Sequence, residues 1–461
     1  MPNADFQLIV IGAGPGGYVA AIRAAQLGFK VACVDKLPTL GGTCLNVGCI
    51  PSKALLQSSD SYERTSHSLK EQGVIAQHVT FDFPAIMQRK DGIVRTLVDG
   101  IASHFKRHSI TRLEGSASFV NPQEIEVNGK RYTAEQFIIA TGSEPIPLPF
   151  LPFDEKQILS STGALSLPAV PKTMTVIGAG SIGVELASVY RRLGTAVTVI
   201  EMLDTITPGM DAALSKQLQQ SLKKQGIEFF LGATVTEGKI LKNGVSLAIN
   251  HARQSRVDAE VVLVAIGRKP YTTGLNLKAA NVNTTQKGLI PVDGNFRTSQ
   301  PHIYAIGDVI DGPMLAHKAS HEGIAAVELL AGLSPTVNYM SIPNVVYTDP
   351  EVASVGMTEA EATASGRKIL TGTSHFRGNA RARCSGDLTG LVKVVGDEAT
   401  GRLLGMHLIG AHASEMISEG VIALDKKATL SDLAHACHPH PTLSEAIMEA
   451  CQQALGFAIH G

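Results

Sequence analysis

The chain has 461 residues, 44% of them hydrophobic, with 45 glycines, no tryptophan and a formal net charge of −1 at pH 7. That length allows about three domains, the composition excludes a disordered or fibrous chain, and the charge balance offers nothing to nucleic acid or an anionic membrane. No apolar run is long enough to span a bilayer. Met1-Pro2 leads almost directly into a strand-like segment, with no signal or transit peptide before it. Six cysteines do not make a secreted disulfide framework. The chain is therefore expected to be cytoplasmic, where an isolated disulfide is catalytic more often than structural.

The first strand, Leu8-Ile9-Val10-Ile11, runs into Gly12-Ala13-Gly14-Pro15-Gly16-Gly17, a small-residue helix to Leu27, Gly28 and a second strand ending at Asp35. Next comes Gly41-Gly42-Thr43-Cys44-Leu45-Asn46-Val47-Gly48-Cys49-Ile50-Pro51-Ser52-Lys53. Five residues of regular helix turn a side chain by roughly 140° and move it about 7.5 Å, too far for a disulfide. A Cys44–Cys49 bond therefore needs irregular backbone, which Gly48 and Pro51 permit. The other reading is two unrelated thiols packed in a core.

Phe137 to Gly142 reads as a buried strand ending in a tight turn, followed by the proline-rich passage from Pro145 to Pro171. The opening pattern then returns: a strand from Met174 to Ile177, Gly178-Ala179-Gly180-Ser181-Ile182-Gly183, a helix to Leu193, Gly194 and a strand ending at Glu201. From Gly12 to Asp35 and from Gly178 to Glu201 the spacing is 23 positions each. Val261 to Gly267 and Ile303 to Asp308 repeat the buried-strand-and-turn pattern, the second leading into an apolar helix through Leu330. Beyond Pro343, Leu391–Val395 and Leu403–Ile409 form a hairpin, and helical patterns flank the loop His438-Pro439-His440-Pro441.

Each G-x-G-x-x-G follows a strand, opens a helix and is followed by an acid at the next strand end, which is the context dinucleotide binding requires. Gly12 and Gly178 make the turn, Gly14 and Gly180 let a pyrophosphate approach, and Gly17 and Gly183 let helix pack on strand. Asp35 and Glu201 are placed to accept from adenosine ribose hydroxyls. The second site favours NAD over NADP, because Met202 to Thr207 supplies no cation for a 2′-phosphate. Two nucleotide sites and a cysteine pair imply a relay of nicotinamide, flavin and disulfide. His440 stands five residues before Glu445, a spacing that suits an imidazole base held by a carboxylate. Thr442-x-x-Glu445 also fits a capping box. A zinc site from His435, Cys437, His438 and His440 is disfavoured, because alternating prolines constrain the backbone badly for tetrahedral ligation. No metal is expected.

Together these motifs resemble the pyridine nucleotide–disulfide oxidoreductase family over essentially the whole chain. The resemblance implies an α/β fold with two Rossmann-like domains, for FAD and NAD, and a C-terminal α+β dimerisation domain. The boundaries it implies are 1–147 for FAD, 148–275 for NAD, 276–342 for a central segment completing the FAD domain, and 343–461 for dimerisation. It implies that Cys49 lies against the flavin as the charge-transfer thiol, with Cys44 the more exposed interchange thiol. It implies that Asp308 holds the ribityl chain, that Thr141, Gly142, Gly267, Met314, Ala316 and His317 line the cofactors, and that Lys53 and Glu185 stand beside the flavin on its nicotinamide side. His440 would serve the disulfide of the other subunit of a homodimer. The wording His-Pro-Thr-Leu-Ser-Glu and Ser52, where the glutathione-type branch usually has lysine, resembles the branch that oxidises dihydrolipoamide carried by lipoyl domains of 2-oxoacid dehydrogenase or glycine-cleavage complexes. An NAD(P)H-dependent reductase of another small disulfide is the alternative. One departure is Asp35, where relatives often have glutamate. Cys33, Cys384, Cys437 and Cys451 match no motif and are expected to be structural.

Overall fold

The computed structural model describes residues 4–252 and 254–460. The chain divides into two compact units. The first is Met1–Ala54, Pro84–Ile146 and Gly267–Val337; the second is Leu55–Phe83, Pro147–Ile266 and Asn338–Gly461.

In the first unit, the strand Phe6–Ile11 pairs in parallel with Val31–Asp35 on one side and with Lys130–Ile139 on the other. Leu8, Ile9 and Val10 are fully buried, as expected of a parallel strand covered on both faces. Burying each such side chain is worth roughly 1.5–3 kcal/mol. Thr111–Glu114 extends the parallel array beyond Val31–Asp35, and Ile303–Ala305 extends it beyond Lys130–Ile139. The front half of Lys130–Ile139 belongs to an antiparallel meander with Glu124–Val127 and Ala117–Asn121. Neither the meander nor the 25-residue helix Phe83–Arg107 has a motif that marks it in the sequence. The short strand Ser143–Pro145 pairs with Arg268–Pro270, and so brings residues 267 onward back to the first unit.

The second unit holds another parallel sheet, built around Thr173–Ile177 between Ala196–Glu201 and Val261–Val264. A three-stranded antiparallel sheet, Thr234–Leu241, Gly244–Asn250 and Arg256–Ala259, sits between two of its strands in the chain. The C-terminal part is a five-stranded antiparallel sheet containing the hairpin Leu391–Asp397/Leu403–Gly410. The fold is thus the expected α/β architecture with a C-terminal α+β portion. Among the described residues no helix is long and apolar enough to cross a membrane.

His407 is fully buried in this last sheet; its Nε2 meets the Met357 carbonyl at 3.0 Å, and no described group reaches Nδ1. Burial holds its pKa below the ordinary value. The unfolded chain binds that proton near pH 6.5 and the folded one does so only at lower pH, so folding is favoured above about pH 6.5 and weakened as pH falls below it. The thermal midpoint of His407→Gln should drop less than that of the parent between about pH 7.5 and 5.5. An equal drop in both proteins would remove His407 as the cause.

Candidate active site

Gly12 has φ +106°, and a Cβ there would collide with the Ala140 carbonyl, while one on Gly17 would collide with the carbonyl of Gly12. Only glycine lets the helix Pro15–Gln26 start this close to the strand. That helix has no side-chain cap and no acid in its first turn. Its free N–H groups and positive dipole end suit a pyrophosphate, and a Cβ on Gly14 would meet nothing nearer than Gly42 Cα at 4.0 Å. The second motif repeats each feature: Gly178 turns at φ +103°, Gly183 packs on its carbonyl, and nothing lies within 4 Å of a Cβ on Gly180. The helix Ser181–Arg192 is likewise uncapped.

The two strand-end acids also work on the protein itself. Asp35 accepts from Ala13 N–H at 2.6 Å and from Leu37 N–H at 2.8 Å. Glu201 accepts from Ala179 N–H at 2.7 Å and from Leu203 N–H at 2.9 Å. Each carboxylate locks its glycine turn to the next strand, and its remaining lone pairs are free to take ribose hydroxyls.

The cysteine segment is seated on the first glycine turn. Gly41 N–H donates to the Ala13 carbonyl at 2.9 Å, and a Cβ on Gly42 would touch Gly14 Cα at 2.5 Å. A short helix Gly42–Val47 breaks at Gly48, and a second helix, Cys49–Glu63, starts at once. A Cβ on Gly48 would lie 2.8 Å from the Thr43 carbonyl. The break brings Cys44 and Cys49 into side-chain hydrogen-bond contact. That contact, then burial and the electrostatic effect of Cys49, push the Cys44 thiol far up. Lys53, one turn beyond Cys49, works in the opposite direction on Cys44. In the polypeptide by itself Cys49 is exposed and Cys44 half-buried. Cys44 packs with Tyr18 and Ile50 against the core, which encloses its sulfur.

Across the first unit, Thr141 Oγ1 donates to the Tyr271 carbonyl at 2.6 Å, and Gly142 turns at φ +72° beside it. Gly267 turns at φ +126°, at the start of the returning chain. Asp308 is half-buried; its Oδ2 accepts from Ser143 Oγ at 2.5 Å, and Ser143 accepts from Arg268 Nε at 2.7 Å. Burial lowers the Arg268 pKa, while the negative charges of Asp308 and Cys49 work the other way. Met314 and Ala316 are half-buried, with His317 exposed, at the start of the helix Ala316–Leu330.

In the second unit, His440 Nδ1 lies 2.8 Å from Glu445 Oε1, and Thr442 N–H donates to Oε2 of the same carboxylate at 2.8 Å. One carboxylate oxygen faces the imidazole and the other takes a backbone N–H, but the helix Glu445–Ala454 is preceded by Ser444 at its N-cap, with no capping box. Thr442 Oγ1 bonds the Pro439 carbonyl, so the reciprocal half of a capping box is not made. Burial acts to raise the Glu445 pKa, but the Thr442 N–H and His440 hold it below the usual carboxylate range. An ionised carboxylate can only accept, so Nδ1 carries the proton and Nε2 is left as the base. The His440 side chain is 71% exposed. His438 pairs with Glu419 at 2.8 Å, which raises its pKa above the ordinary value. Glu185 is buried and accepts from Tyr347 N–H at 3.0 Å. Of the remaining cysteines, Cys33 and Cys451 are buried, the latter pushed up to about 12 by its surroundings; Cys384 and Cys437 are exposed, so neither is a core thiol.

A sequence profile described as pyridine nucleotide–disulphide oxidoreductase matches residues 6–323, and its dimerisation-domain profile matches 342–451. The chain belongs to the pyridine nucleotide–disulphide oxidoreductase family. This oxidoreductase is 48% identical to the mitochondrial dihydrolipoyl dehydrogenase of Schizosaccharomyces pombe, over 99% of the chain and 92% of the relative. It is 47% identical to that of Pisum sativum, over 98% and 92%. The solved structure of LpdA from Mycobacterium tuberculosis superposes with a TM-score of 0.90 at 27% identity, covering 97% of this chain and 99% of that one. The oxidoreductase uses FAD and NAD, and its two uncapped glycine turns fit both.

Sequence reasoning missed Ser143, Arg268, Lys318 and Glu322. Arg268 was visible beside its strand; the buried Lys318–Glu322 pair has the i,i+4 spacing of an ordinary surface pair, and nothing in the sequence marks it as buried. For the NAD assignment, Glu201→Gln should weaken NAD+ binding about tenfold, the scale of one lost charge-assisted hydrogen bond. Unchanged NAD+ affinity measured by titration would leave Glu201 with only its turn-locking role.

Proposed function

We propose that this chain oxidises a protein-bound dihydrolipoyl group to its cyclic disulfide and delivers the electron pair to NAD+. The observation that carries the reading is the contact between Cys44 and Cys49 beside the first glycine turn. His440 of the partner subunit takes a proton from one substrate thiol at Nε2, and the resulting thiolate attacks Cys44 Sγ. The Cys44–Cys49 bond breaks, and Cys49 leaves as the thiolate. The second substrate thiol then attacks the substrate sulfur of the mixed disulfide and releases Cys44. Of the two substrate protons, one ends on Cys44 and the other on His440. This sequence of steps leaves Cys44 protonated beside a Cys49 thiolate, and the raised pKa of Cys44 is in keeping with it.

Bound FAD supplies the two-electron carrier between the dithiol and NAD+. Gly12, Gly14, Gly17 and Asp35 are assigned to its adenosine diphosphate half, with Thr141, Gly142, Asp308, Met314, Ala316 and His317 along the rest. The exposed face of Cys49 suits a sulfur that a flavin ring covers. Lys53 and Glu185 are assigned to the nicotinamide side, and Gly178, Gly180, Gly183, Glu201 and Gly267 to NAD. On these roles the chain is assigned the division 1–147, 148–275, 276–342 and 343–461, with residues 267–275 already packed in the first unit. The dimerisation segment and the exposed His440 support a homodimer whose subunits complete each other's sites, and the relatives' names support lipoyl carrier domains as substrate. Relatives named mitochondrial give no support to a cytoplasmic location.

In the FAD-loaded protein, Cys44→Ala should show a long-wavelength absorbance band that Cys49→Ala lacks; the opposite pattern would exchange the two roles. His440→Gln should slow dihydrolipoamide turnover by roughly 10² or more, with the exchange of NADH for a dye acceptor little affected. Faster turnover of glutathione disulfide than of lipoamide by the parent would favour the other small-disulfide reading.

A further inference from the structure

Lys318 and Glu322 stand one turn apart on the helix Ala316–Leu330, 1% and 0% exposed, with Nζ and Oε1 3.0 Å apart. Burying two ions is costly, and apolar pairs of equal volume commonly serve stability as well or better. Stability alone therefore does not explain the pair. Two of its further contacts converge on one residue. Glu322 Oε2 accepts from Gly307 N–H at 2.7 Å, and Lys318 Nζ donates to the Gly307 carbonyl at 3.2 Å. Gly307 has φ +75°, and a Cβ there would press on Ala319 at 3.2 Å. The helix thus grips both ends of the residue that precedes Asp308.

The same helix is fixed against the first glycine motif. A Cβ on Gly323 would lie 2.6 Å from the Gly16 carbonyl, so the helix rests directly on Pro15–Gln26. Glu322 and Gly323, adjacent in sequence, therefore set the distance between the pyrophosphate turn and the Asp308 turn. Ser143 occupies Oδ2 of Asp308 and leaves Oδ1 for a ligand.

We infer that the buried Lys318–Glu322 pair is a positioning device that clamps Gly307 and so aims Asp308 at the ribityl chain of FAD. This rests on the assignment of Asp308 to FAD made above. The pair touches no cofactor atom in this scheme; it acts through Asp308.

The test is the rate of FAD release from full-length holoenzyme, followed by flavin fluorescence, for the double variant Lys318→Met/Glu322→Met, for Asp308→Asn, and for all three changes together. The double variant should release FAD at least about tenfold faster, the scale of a lost hydrogen bond to a charged group. It should add nothing further in the Asp308→Asn background. Fast release with Asp308→Asn but parental release with the double variant would overturn the positioning role and leave the Asp308 assignment standing. Multiplying effects would show that the pair acts elsewhere, which also overturns it. Parental release with Asp308→Asn would sink the Asp308 assignment and this inference with it. Glu322→Gln keeps an acceptor for Gly307 N–H but loses the ion pair. It serves the same comparison, with a smaller acceleration expected, if the double variant does not fold.

Discussion

The arrangement depends on a single interruption of helix. Had residues 42 to 63 continued as one regular helix, the two sulfurs would point to different sides and could share neither a proton nor a bond. Gly48 ends one helix where the Thr43 carbonyl leaves no room for a side chain, and the next helix begins on Cys49 itself. The break also fixes the electrostatics. One thiol is pressed against the core and the other is exposed, and burial together with the contact between them raises the pKa of Cys44.

The two glycine motifs impose a second constraint, and the acids at the strand ends enforce it. Asp35 and Glu201 are conventionally read as ribose ligands, yet each also accepts one backbone N–H of its glycine turn, from Ala13 or Ala179, and one from the residue two places after itself. The anion-binding face of each helix is thus shaped before any nucleotide arrives. The cysteine segment rests on the first of these turns through Gly41 and Gly42. Electron donor and cofactor cradle are therefore one continuous piece of backbone.

Much of this was legible in the sequence because local rules carried it. Strand, glycine turn, helix and acid follow at fixed spacing in both repeats, and the His440–Glu445 pair lies within one loop. Contacts made across the sequence were not legible. Ser143, Arg268 and Asp308 meet only after two distant segments pair as strands. Lys318 and Glu322 look like a solvated helix pair until the packing of their helix buries them. Which side of the cysteine pair the core packs against was not legible either, because it is set by tertiary packing.

The most direct test of the account is an anaerobic titration of the FAD-loaded protein with dihydrolipoamide, followed through its visible spectrum and by alkylation of residues 44 and 49. One equivalent should generate long-wavelength absorbance, make Cys44 alkylatable in preference to Cys49, and be reversed by NAD+. A spectrum that does not change, or two cysteines equally reactive before and after the titration, would contradict the claim that this sulfur pair carries the electrons.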